Sequence, residues 1–161
     1  MKIRKTAPAE LEQIMTLYEH ARFFMADNGN PSQWGSTYPP CSLVQTDIEN
    51  GDSYVCEDQG RIIATFYYKD GPDPTYQQIE EGCWLNGRPY GTVHRITSDG
   101  SVRGAASYCL NWAFAQCGNL KIDTHRDNHI MQHLLAKNGF QYCGIIRTDD
   151  GSERLAYQKT V

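Results

Sequence analysis

The chain has 161 residues, which suits one domain with its own hydrophobic core and would be cramped for two. Its formal net charge is -4 and its Lys and Arg residues are scattered, so nucleic-acid binding is disfavoured, because phosphate contacts need a positive face. No apolar stretch approaches membrane-spanning length, and Met1 to Thr6 runs into polar sequence, not into an apolar leader, so the expected setting is cytoplasmic and away from membranes.

Ile3 to Lys5 reads as a short strand. Pro8 suits a first helical turn, and Leu11, Ile14, Met15, Tyr18, Ala21, Arg22 and Met25 keep helical spacing until Asn28-Gly29. A loop rich in Pro, Gly and Ser follows, carrying Trp34 and Tyr38. A short helix is expected over Leu43 to Glu49. Ser53 to Glu57 and Arg61 to Tyr68 form a hairpin across Asp58-Gln59-Gly60. Between Thr75 and Arg88 one short helix is expected, around Gln77 to Gly82. Gly91 to Ser98 is a strand, Ala105 to Cys117 a helix, Leu120 to Thr124 a strand and Asn128 to Asn138 a helix. Phe140 to Arg147 and Arg154 to Lys159 close the chain as a hairpin.

This order predicts an α/β (α+β) domain spanning residues 1-161. Its sheet is mixed and mostly antiparallel, flanked by helices, with a central βαβ unit. The six cysteines contain no Cys-x-x-Cys pair, which leaves a zinc ribbon or a thioredoxin motif unsupported. Cys56, Cys109 and Cys143 lie in apolar runs and read as reduced, buried thiols.

The βαβ unit carries the chemistry. The turn Gly100-Ser101-Val102-Arg103-Gly104-Ala105-Ala106 opens a helix with small residues, so a ligand can approach the backbone closely. Free N–H groups and the helix dipole at such a start favour an anion, most often a phosphate. Small residues chosen for packing alone are the competing explanation. No Gly-Lys-Ser/Thr follows, so this is not a P-loop.

Gly104-Ala105-Ala106, Asn128 and the run Leu134-Leu135-Ala136-Lys137-Asn138-Gly139-Phe140 together resemble the GNAT superfamily of N-acetyltransferases. The likeness extends over essentially the whole chain. It implies acetyl-CoA as acetyl donor. The backbone of Ile96, Thr97 and Ser98 would pair with the pantetheine arm, and the N–H groups of Val102, Arg103, Gly104, Ala105 and Ala106 would hold the pyrophosphate. Asn128 would bond the cofactor, although Asn also favours a plain N-cap. The chain departs from the pattern in three places. Ser101 replaces the usual Gln or Arg, the helix after Gly104 is about a turn short, and Leu135 replaces the tyrosine that protonates the departing thiolate.

An ammonium must lose a proton before it attacks a thioester. His94 and His125, on the two strands expected to splay at the thioester, are candidate bases. Glu80 and Glu81 are further candidates. Tyr142, with Cys143, is the candidate substitute for the missing acid. A hydrogen-bonded structural histidine is the alternative at each His position. His129 and His133 share a helical face, but His125 falls outside that helix, so zinc would be under-coordinated and no metal is expected. Trp34 and Tyr38 are expected to wall the acceptor pocket, or else to anchor their loop. Phe23, Phe24, Tyr67, Tyr68 and Trp84 are candidates to line the same cleft, with core packing as the default for such residues.

The expected activity is acetyl-CoA-dependent acetylation of a primary amine on a small molecule or peptide, by direct attack on the thioester. A non-catalytic CoA-binding regulatory module and a zinc hydrolase are the alternatives. Pairing as a homodimer is compatible with the resemblance.

Overall fold

Seven strands, β1 (Lys2–Lys5), β2 (Ser53–Asp58), β3 (Arg61–Asp70), β4 (Gly91–Ser98), β5 (Asn119–Thr124), β6 (Gln141–Arg147) and β7 (Glu153–Thr160), make one sheet in the order β1-β2-β3-β4-β5-β7-β6. Four helices, α1 (Leu11–Asp27), α2 (Cys41–Glu49), α3 (Ala105–Cys117) and α4 (His129–Lys137), cover it. The computed structural model describes all 161 residues.

Local chemistry sets most boundaries. The β2–β3 turn needs two residues with positive φ, and Gln59 (49°) and Gly60 (78°) supply them. Gly104 and Gly118 bracket α3, both left-handed, and the Gly118 N–H donates to the Phe114 carbonyl. The Asn128 side chain accepts from the Met131 N–H and starts α4.

Strand alternation sorts the core into two layers. Val93, Leu120, Ile122, Phe66 and Tyr157 pack with Cys109, Leu110, Ala113 and Leu135 beneath α3 and α4. Val55 packs with Ile14, Leu17, Tyr18, Val44 and Ile48 beneath α1 and α2. All six cysteines are unpaired, and Cys56, Cys109 and Cys143 are buried. No helix is long and apolar enough to cross a membrane.

Two irregularities position the site. Every neighbouring pair is antiparallel except β4 and β5, which are parallel and paired only at Gly91–Leu120 and Thr92–Lys121. Beyond Thr92 the two strands part, and the β5-facing edge of β4 has no partner strand. In addition, Tyr67 faces His94 and Thr65 faces Thr97, so Phe66 alone opposes Arg95 and Ile96. That is a β-bulge, with Arg95 at φ 52°. The Arg95 guanidinium holds the bulge by binding Asp47 at 2.6 Å and Tyr38 Oη at 3.2 Å.

The helix expected around Gln77 to Gly82 does not form. Pro74–Tyr76 make a single 3-10 turn, and the chain then runs irregularly to Tyr90. Its backbone is drawn to the sheet edge instead, where Glu80 and Ile145 exchange N–H···O bonds of 2.8 Å. At Gly82 a Cβ would fall 1.9 Å from the Cys143 carbonyl oxygen, so only glycine allows this approach. Trp84 and Tyr90 close over the Lys121 ammonium, at 4.1 and 3.9 Å from their ring centres. Burial beneath these rings lowers the Lys121 amine to about 8.

Candidate active site

On the α3 side, Asp99 shapes the loop after β4. Its carboxylate accepts from the Ser101 N–H (2.8 Å) and hydroxyl (2.6 Å), and Arg61 donates to that hydroxyl from β3 (3.2 Å). The consecutive backbone N–H groups from Val102 to Ser107 meet no protein oxygen in hydrogen-bonding geometry; the first helical bond is Tyr108 N–H to the Gly104 carbonyl. Nothing lies within 4 Å of where a Gly104 Cβ would stand, so the space beside Gly104 is open. Donors without acceptors, a helix dipole and open approach together fit a phosphate group. The unpaired β4 edge offers further backbone groups to an extended chain carrying amides.

On the opposite face the parting of β4 and β5 exposes a different constellation. His94 Nε2 lies 2.6 Å from Asp73 Oδ2, and His94 Nδ1 lies 3.7 Å from Asp123 Oδ1. The Tyr76 hydroxyl donates to Asp123 at 2.6 Å. Burial and the neighbouring Asp123 charge hold the Tyr76 phenol well above its ordinary range, so it remains a donor. The rings of Tyr67 and Tyr76 flank the imidazole at 5.5 and 5.7 Å. His94 stays 24% exposed and so reachable. Asp73 and Tyr76 come from the irregular segment after β3, His94 from β4 and Asp123 from β5. Sequence reading missed both carboxylates; their only signal was their nearness to the flanking strands.

The other expected site residues separate. His125 accepts the Asp127 N–H on Nδ1 at 3.0 Å. Burial, together with the Arg154 and Arg126 charges, lowers its proton affinity. With Nδ1 engaged, a neutral His125 carries its proton on Nε2, which suits a hydrogen-bond donor and not a base. Tyr142 is 52% exposed on the edge strand β6, where it packs on Tyr157, two strands away from β5. Sheet spacing puts that at roughly 10 Å from β5, too far to stand in for an acid at the β4–β5 gap. Glu80 is exposed and pairs with Arg147, and Glu81 is also exposed.

Asn128 caps α4 with its oxygen, and its amide donates to Gln33 at 2.9 Å, so each side-chain atom already has a protein partner. Trp34 is buried against Tyr18, ring centres 5.6 Å apart, and anchors its loop. Tyr38 is exposed and touches Arg95. Of the other aromatics, Tyr67 borders His94, Tyr68 is buried, Trp84 covers Lys121, and Phe23 and Phe24 are exposed. His129 and His133 are exposed on α4.

The sheet parts between two parallel strands, with an anion-fitting helix start on one face and a histidine on the other, and this whole architecture is shared with solved acetyltransferases. A crystal structure of an acetyltransferase of the GNAT family from Streptococcus agalactiae 2603 superposes with a TM-score of 0.90 at 36% identity, covering 99% of this chain and 95% of that one. The chain belongs to the GNAT family of acetyltransferases. An acetyltransferase-like structure from Staphylococcus aureus Mu50 has a TM-score of 0.72 at 24% identity, over 99% of both chains. The NatC complex bound to Gag peptide and CoA shares the fold, with a TM-score of 0.66 at 14% identity over 100% of this chain and 99% of that one. No protein-family model matches the sequence, and no curated protein matches it at a significant level.

Proposed function

We propose that this protein acetylates a primary amine of a small molecule or peptide, using acetyl-CoA, by direct attack of the amine on the thioester. The observation that carries the reading is the gap between β4 and β5. Backbone donors stand without acceptors on its α3 side, and His94 stands on the other side. Two substrates arriving from opposite faces would meet at the bulge. The NatC complex, which shares the fold, is bound to a peptide and CoA, and this agrees with a CoA donor and an amine-bearing acceptor here.

Acetyl-CoA supplies the acyl group as a thioester. In this reading the N–H groups of Val102, Arg103, Gly104, Ala105 and Ala106 hold its pyrophosphate, and the backbone of Ile96, Thr97 and Ser98 pairs with its pantetheine arm. The bulge at Arg95 and Ile96 frees backbone N–H groups of β4 to face the developing oxyanion. His94 takes a proton from the acceptor ammonium. The neutral amine forms the new C–N bond as the C–S bond breaks. Of the two protons the nitrogen sheds overall, one leaves through His94 to solvent and the other neutralises the sulfur. Leu135 is fully buried among apolar side chains, so position 135 contributes no acid.

The test is release of free thiol from acetyl-CoA with a panel of primary amines and N-terminal peptides, with the acetylated product identified by mass. Acceptor-dependent thiol release, reduced in His94→Ala, is the expected result. Tight CoA binding with no turnover across the panel would favour the regulatory module instead.

A further inference from the structure

We propose that Asp73 is a positioning residue: it fixes which nitrogen of His94 carries the proton, so that Nδ1 receives the proton of the acceptor. This rests on the reading of His94 as the base.

Asp73 lies in the irregular segment between β3 and β4, yet it is held at three points. Its Oδ1 accepts from the Thr75 N–H (2.9 Å) and the Thr75 hydroxyl (2.6 Å). Its own N–H donates to the Tyr90 hydroxyl (2.9 Å). Its Oδ2 is left for His94 Nε2, at 2.6 Å. A flexible surface ion pair would need none of this bracing.

Burial pushes the Asp73 carboxyl up, but hydrogen bonds from His94 and Thr75 outweigh it and hold the group at about 2. Asp73 is therefore ionised at any working pH, and an ionised carboxylate only accepts. The proton in the 2.6 Å contact belongs to Nε2. In a neutral imidazole the lone pair is then on Nδ1. Nδ1 has no protein donor, since Asp123 Oδ1 stands off at 3.7 Å and takes the Tyr76 hydroxyl. The groups facing this imidazole are Asp73 and Tyr76 from the segment after β3, Asp123 from β5 and Tyr67 from β3. Further out, Asp47 from α2 is paired with Arg95 of β4 at 2.6 Å. When Nδ1 takes a proton, the imidazolium formed lies between two carboxylates. Without Asp73, either nitrogen can carry the proton and the ring is free to turn.

The experiment uses the full chain labelled with 15N-histidine, with Asp73→Asn, Asp73→Glu and Thr75→Val variants. Ring nitrogen shifts report the His94 tautomer, and acetyl-CoA turnover is followed against pH. The expected result is a single Nε2–H tautomer in the parent and a mixture in Asp73→Asn. The kcat/KM of Asp73→Asn should fall roughly 10- to 100-fold, because the tautomer and orientation of the imidazole are no longer held. The KM for acetyl-CoA should not move, and Asp73→Glu should recover part of the rate. Thr75→Val should show a smaller change in the same direction, which keeps the test open if Asp73→Asn fails to fold. An unchanged tautomer in both Asp73→Asn and Thr75→Val would overturn the proposal, as would a rate loss with no recovery by Glu. Failure of every amine to be acetylated would instead sink the function reading, while the nitrogen shifts still decide the role of Asp73.

Discussion

The loop from Asp99 to Ser107 and the cluster around His94 serve opposite faces of one sheet, and they are built differently. The loop is made of consecutive residues and uses backbone N–H groups, with Arg61 and Asn138 as its distant side-chain partners. The cluster draws Asp73, Tyr76, His94 and Asp123 from three segments and uses side chains throughout. A backbone cradle tolerates most side-chain changes but not a change of backbone conformation. A side-chain relay behaves the opposite way.

Substitutions in the two regions should therefore separate binding from turnover. His94→Ala is expected to have the largest effect, lowering kcat/KM about 100-fold or more at neutral pH. Calorimetric titration should show CoA affinity unchanged. An equal loss of CoA affinity would erase the division between the faces. Gly104→Val should do the reverse. Gly104 sits at φ 82°, so a β-branched residue should cost roughly 1–3 kcal/mol of stability through the strained backbone. It should also weaken CoA binding tenfold or more by turning the N–H row, with turnover at saturating acetyl-CoA far less affected.

Asp73 has a stability signature as well as a catalytic one. Its folded pKa of about 2 lies below the ordinary carboxyl value of 3.8, so its contribution is present above that value and is lost as pH falls through about 2. The shift corresponds to about 2 kcal/mol. Urea melts should show Asp73→Asn less stable than the parent by about that amount at neutral pH, with the gap closing between about pH 4 and 2. A gap that does not change with pH would mean that Asp73 contributes through neutral hydrogen bonds alone. Arg61→Ala should reduce CoA affinity only a few-fold, and less at high salt, because the contact with Ser101 is exposed. Tyr142→Phe should leave kcat unchanged. A clear loss there would return Tyr142 to the chemistry and contradict its place on the outer strand.

The same contrast explains what could be read in advance. Ala105–Cys117 was legible as a helix because Gly104 and Gly118 punctuate it and its apolar positions keep a helical period. The hairpin at Asp58-Gln59-Gly60 was legible from its turn residues. Residues 77–90 were not, since their conformation follows from the Glu80–Ile145 bridge and from Gly82 meeting Cys143, both contacts across more than 60 positions. His125 and His94 looked alike as histidines beside parting strands. Only their partners separate them, a backbone N–H in one case and a carboxylate in the other.

The order of strands and helices, the small-residue turn and the absence of a tyrosine at position 135 are properties of the sequence alone. They rest on local periodicity and on residue type, and they suffice for the fold and for the family resemblance. Which partners His94 and His125 meet, and which carboxylate lies against His94, was decided by tertiary structure. Proton affinity depends on burial and on charges within a few ångströms, and Asp73, His94 and Asp123 become neighbours only when β4 and β5 part beneath the segment that follows β3.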